Sequence, residues 1–118
     1  MSPSDLTFDT AAVLDRFGGD REFVLECAGV LSDELPALFS AMHDAAQSGS
    51  ADALFRAAHT IKGALSNFCD YGPTRTAAKL DALAREGRLD QAVPLISVLE
   101  HEVAGLVAAL AGLRPEGA

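Results

Sequence analysis

Tryptophan is absent from this 118-residue chain, tyrosine occurs once, and six phenylalanines are the only other aromatics. A core must therefore be filled mainly by alanine and leucine, as in helical bundles. Cysteine occurs twice, at Cys27 and Cys69, with no CxxC pair. Two isolated thiols cannot build a zinc site, so both are expected as small buried apolar residues. Basic side chains are scarce: nine Lys and Arg stand against 17 Asp and Glu, for a net charge of −8. A nucleic-acid binder needs a basic stripe, and none is present. The opening MSPSDLTFDT lacks the basic start and apolar run of a secretory signal. No uninterrupted apolar run approaches the ~18–20 residues of a membrane span. These absences lead to the expectation of a soluble cytoplasmic protein with neither nucleic acid nor membrane as partner.

Strand alternation is missing too, whereas helical periodicity is plain. Apolar residues recur every three or four positions in four segments. In 20–47 they are Val24, Ala28, Leu31, Leu35, Leu38, Met42 and Ala45. In 51–69 they are Leu54, Ala58, Ile61, Leu65 and Phe68. In 73–86 they are Ala77, Leu80 and Ala84. In 91–113 they are Ala92, Ile96, Leu99, Val103, Leu106, Leu110 and Leu113. A short helix over about 9–16 precedes them. Asp20, Ser50 and Asp90 read as N-caps, Gly72-Pro73 as a helix start and Gly87 as a stop. Pro36 lies inside the second segment and should bend it. Connections of about two to four residues make neighbours antiparallel. The expected fold is all-α, an antiparallel up-down-up-down four-helix bundle with a short N-terminal helix. It forms one domain over 1–118 with an ordered core of about 8–113.

The stretch AAHTIKGALSNF, residues 57–68, breaks a rule of helix composition. Glycine inside a helix costs roughly 1 kcal/mol relative to alanine, yet Gly63 follows His59 by one turn. With the apolar stripe at 0° and about 100° per residue, His59 falls near 140°, Gly63 near 180° and Ser66 near 120°. Arg56 falls near 200°, Asp52 near 150°, and Lys62 on the flank near 80°. One outward strip therefore carries Asp52, Arg56, His59, Gly63 and Ser66. Helical side chains lean toward the N-terminus, so a side chain at 63 would lean over His59. Glycine leaves that approach open to a large partner.

One exposed histidine suits few chemistries. A hydrolytic triad needs a nucleophile and an orienting acid in contact, and zinc needs three or four ligands. Accepting a phosphoryl group needs less. An imidazole is largely neutral near pH 7, with one nitrogen free to attack. The phosphoryl group adds roughly two negative charges, which a nearby ammonium such as that of Lys62 offsets. His43 and His101 have no such surroundings.

The stretch resembles the motif of histidine phosphotransfer (HPt) domains, commonly A-H-x-[LI]-K-G, through Ala58, His59, Ile61, Lys62 and Gly63. FDTAAVLDRFGGDREFV is similar to the family's first helix and its break, LSDELPALF to its second helix, and KLDALAREG to the stretch after the phosphohistidine helix. The resemblance implies His59 as the phosphorylated residue, Lys62 as its charge partner and Gly63 as the access position. It implies Asp81 as the acid set against the imidazole, where the family often has Glu or Gln. Asp81 has a competing assignment, an i,i+4 pair with Arg85. The family often has glycine where this chain has Ser66 and Cys69.

The implied role is a phosphoryl carrier, not an enzyme, between a sensor or hybrid histidine kinase and response-regulator receiver domains. It would need no cofactor of its own, because the receiver supplies Mg²⁺, and it is expected as a monomer. A receiver is expected to cover Asp52, Arg56, Ser66 and the surface around Phe39 and His43, taken to lie level with His59. The rival readings are a helical adaptor or dimerisation module without phosphotransfer, and the phosphoacceptor domain of a larger chemotaxis-type kinase.

Overall fold

The computed structural model describes residues 8–114. Among them are six helical segments and no strand: α1 (Thr10–Arg16), α2 (Arg21–Ser48), α3 (Ala51–Ser66), α4 (Pro73–Arg85), α5 (Leu89–Ala92) and α6 (Pro94–Ala111). Local chemistry accounts for most boundaries. Asp20 accepts the Phe23 N–H at 3.0 Å and Ser50 accepts the Ala53 N–H at 3.1 Å, so α2 and α3 each begin on a side-chain cap. Gly49 sits in the left-handed region at φ +72° and turns the chain back between them. Pro73 opens α4, where a missing N–H costs nothing. α2 runs unbroken through Pro36.

Two boundaries differ from the periodicity. The helix expected over 51–69 ends at Ser66. There the Arg16 guanidinium donates to the carbonyl oxygens of Ser66 at 2.6 Å and Asn67 at 3.4 Å. A cation from α1 thus serves carbonyls that lack helical partners, and Phe68 and Cys69 are buried in the turn that follows. The helix expected over 91–113 is split at Val93. Pro94 has no N–H for the Asp90 carbonyl, so a new helix starts there. Asp90 consequently lies in the first turn of α5 and is no cap; the cap position belongs to Arg88, which makes no side-chain cap bond.

α3 packs between α2 and α4, and α6 packs against both α2 and α4. The enclosed core holds Val24, Leu31 and Met42 of α2, Leu54, Ile61 and Leu65 of α3, Leu80 of α4, and Ile96, Leu99, Leu106 and Leu110 of α6. Phe17 meets Phe23 edge-on and Phe68 at a tilt, which fastens the end of α1 over the turn after α3. Cys69 is buried as expected, but Cys27 is only half-buried. Ala28, Leu35 and Leu38 of the α2 stripe are also half-buried.

The stretch Leu89–Ala111 is long and apolar enough to cross a membrane by length and composition. A search for uninterrupted apolar runs misses it because Glu100 and Glu102 intervene. In this fold its apolar stripe enters the core, and Glu102 accepts a hydrogen bond from the Thr76 hydroxyl of α4.

Candidate functional site

Residues 57–65 place Ala57, Ala58, Ile61 and Leu65 in the core. That orientation turns His59 outward, with its side chain 57% exposed. One edge of α3 faces α4, and there Asp81 is 2% exposed. Its carboxylate is divided among three partners. Oδ2 lies 3.2 Å from His59 Nδ1 and accepts from Lys62 Nζ at 3.0 Å. Oδ1 accepts from Arg85 Nη2 at 3.5 Å. Sequence left Asp81 between His59 and Arg85; it binds both, one on each oxygen.

Burial pushes the Asp81 carboxyl up, but the hydrogen bonds from Lys62 and His59 and the charges of Lys62 and Arg85 outweigh it. The net direction is below the ordinary carboxylate value. Asp81 is thus ionised and can only accept. His59 Nδ1 must carry the proton, which leaves the lone pair on Nε2. Nε2 has no protein partner among the described residues. The imidazole also leans on the Phe55 ring, one turn earlier, with centroids 5.6 Å apart. The Arg85 guanidinium lies over that same ring at 5.1 Å.

Gly63 faces open space: a Cβ there would meet nothing within 4 Å. Gly63→Ala should therefore stabilise the fold by up to about 1 kcal/mol through helix propensity alone, read as a higher denaturant midpoint. Gly63→Leu, measured in a phosphotransfer assay, should slow the reaction by shading His59. Wild-type transfer by Gly63→Leu would mean that access is not why glycine stands there.

The rest of the outward strip is present. Arg56 pairs with Asp52 at 2.6 Å, and Ser66 Oγ donates to the Gly63 carbonyl at 2.7 Å. All three side chains are exposed. Lys62, the charge partner that the resemblance implies for the phosphohistidine, is engaged by Asp81.

Phe39 and His43 are not beside His59, which corrects the expected docking surface. Both lie on the flank of α2 that faces α6. His43 Nε2 meets Glu100 at 3.1 Å, and Phe39 lines a groove of about 700 Å³ with Leu35, Pro36, Val103, Val107 and Ala111. Height above the 48–50 turn alone puts Phe39 and His43 level with His59. Phe39 lies about 100° round the helix from the stripe residue Leu38, and here that rotation points toward α6. The flank of α2 toward α3 carries Phe23 and Val30, 49% and 58% exposed. With Cys27 they line a cavity of about 380 Å³ against Ala64, Asn67 and Phe68. Sequence reasoning passed over Phe23, Val30 and Phe55 because none falls on its helix's main stripe. Exposed aromatic or β-branched residues flanking the strip were the available signal.

Among the described residues, no group of three His, Cys, Asp or Glu side chains is placed to hold a metal ion. A family model described as Hpt domain matches residues 26–109. That span includes most of α2, all of α3 to α5 and nearly all of α6, and with them His59, Lys62, Gly63 and Asp81. No curated protein and no solved structure matches the chain.

Proposed function

The chain belongs to the Hpt domain family, and on that premise we propose that it carries a phosphoryl group on His59 Nε2. The donor is a sensor or hybrid histidine kinase or a phosphorylated receiver domain, and the acceptor is a receiver domain. One observation carries the reading: ionised Asp81 engages Nδ1, so the attacking nitrogen is the solvent-facing Nε2. In transfer from a receiver, the Nε2 lone pair forms an N–P bond. The acyl-phosphate O–P bond breaks, and the receiver's aspartate leaves with the electron pair as a carboxylate. Asp81 offsets the positive charge that develops on the ring. Mg²⁺ and the rest of the electrostatic stabilisation belong to the receiver. The chain is a carrier in this scheme, not a catalyst that turns over a small substrate.

The frame proposed for the site is an antiparallel up-down-up-down bundle of α2, α3, α4 and α6, within one monomeric cytoplasmic domain. The short α2–α3 and α3–α4 connections and the packing of α6 against α2 and α4 support it. The receiver is proposed to dock across α3 onto α2. Phe23 and Val30 would serve as apolar anchors, and Asp52, Arg56 and Ser66 as rim contacts. Interfaces gain most from such desolvated anchors and less from rim charges.

Incubation with an aspartyl-phosphorylated receiver should transfer an acid-labile phosphoryl group to this chain. Amide shifts recorded with an unphosphorylated receiver should move at Val30, Arg56 and Gly63. Absence of label with both kinase and receiver donors would overturn the function. Shifts confined to α4 and α6 would overturn the docking surface.

A further inference from the structure

Lys62 presents a conflict that the phosphotransfer reading leaves open. Its ammonium is one turn from His59, where a phosphoryl group on Nε2 needs a cation. Yet it sits 3.0 Å from Asp81 Oδ2, the oxygen that also holds His59 Nδ1. A buried carboxylate stripped of its counterion is strongly disfavoured. Lys62 can move to the phosphoryl group only if another cation stays on Asp81.

Arg85 is that cation. It holds the opposite oxygen, Oδ1, and its guanidinium rests over the face of Phe55. Arginine suits the post: its planar head stacks on an aromatic ring and stays charged, whereas a lysine ammonium is a point charge on a flexible stem. Phe55 in turn supports the His59 ring. We propose that Arg85, seated on Phe55, is a positioning residue that keeps Asp81 neutralised and in place while Lys62 leaves it for the phosphoryl group on His59 Nε2. Before transfer, Asp81 has both cations. Afterwards, Lys62 offsets the phosphoryl charge and Arg85 alone secures Asp81, whose Oδ2 still holds Nδ1. The inference rests on His59 as the phosphorylated residue but on no particular protein partner.

Phosphoramidate, a small chemical donor, tests it without a kinase or receiver. Its P–N bond breaks with loss of ammonia as Nε2–P forms, and ³¹P NMR follows phosphohistidine directly. The measurement is a double-mutant cycle of Arg85→Ala and Lys62→Ala, with Arg85→Lys as the charge-retaining control. Arg85 is exposed, so the fold should survive its loss. Arg85→Ala should slow His59 phosphorylation about tenfold when Lys62 is present and hardly at all when it is not, a coupling of ~1.4 kcal/mol. Arg85→Lys should recover part of the rate. Equal losses in both Lys62 backgrounds, or no loss in either, would overturn the proposal. Failure of protein donors alongside normal phosphoramidate labelling would instead count against the phosphorelay role and leave this cycle intact as a test.

Discussion

His59→Gln should fold like the wild type and show no acid-labile phosphoryl label from a kinase or receiver donor. The fold should survive because the imidazole contributes little to the core: its side chain is more than half exposed, and its one hydrogen bond reaches outward from α3 to Asp81. A glutamine amide can still donate to that carboxylate, so Asp81 is not left one donor short. Lys62 and Arg85 also remain on it. Phosphorylation should vanish because glutamine has no nucleophilic nitrogen. The other candidates are poorly placed: His43 is occupied by Glu100 on the far flank of α2, and His101 is an exposed residue of α6. Circular dichroism would check the fold, and alkali-stable, acid-labile ³²P counts would check the chemistry. Label retained by the variant would move the site to His43 or His101 and dissolve the assignment built on α3.

The residues that sequence read well are those whose roles are local. Asp20, Ser50, Gly72-Pro73 and Gly87 act within a turn of their own positions, and each marks the boundary expected of it. The orientation of His59 and Gly63 is nearly as local, since one apolar stripe fixes which way the opposite face points. What stayed hidden depends on rotation and neighbours. Height along α2 is not enough to place Phe39 and His43, because rotation about the axis turns them toward α6. The carbonyls left open at the early end of α3 are met by Arg16, distant in sequence. Pro94 was a visible signal, a helix starter inside a continuous stripe, and the regular spacing of Ala92, Ile96 and Leu99 masked it. The occupied state of Lys62 followed from neither motif nor spacing. It needs the depth of Asp81, which lies about 100° from Leu80 and which the packing of α3 on α4 buries almost completely.

That depth makes Asp81 the second residue whose loss should be felt strongly. Asp81→Ala should slow phosphorylation of His59 about tenfold or more, within the range that charge stabilisation and orientation of a reacting group supply. Two effects combine: the proton is no longer held on Nδ1, so the attacking tautomer is diluted, and the positive ring formed on phosphorylation loses its counter-charge. Nitrogen-15 shifts of the neutral ring should report the first directly, as a move from one dominant tautomer toward a mixture. Asp81→Asn separates charge from shape, since its amide oxygen can still accept from Nδ1. It should retain more of the tautomer than Asp81→Ala while losing the counter-charge. The same variant carries a pH signature. The Asp81 carboxyl lies below its ordinary value because Lys62, His59 and Arg85 outweigh the effect of burial. A carboxylate depressed in the folded state stabilises the fold above its unfolded pKa of about 4 and loses that contribution as pH falls through the folded value. Wild type should therefore exceed Asp81→Asn in denaturant midpoint at neutral pH, and the gap should close on acidification below about pH 4. A gap that holds constant to pH 2, with tautomer and transfer rate also unchanged, would reduce Asp81 to a structural partner of Arg85 and leave the site to His59, Lys62 and Gly63.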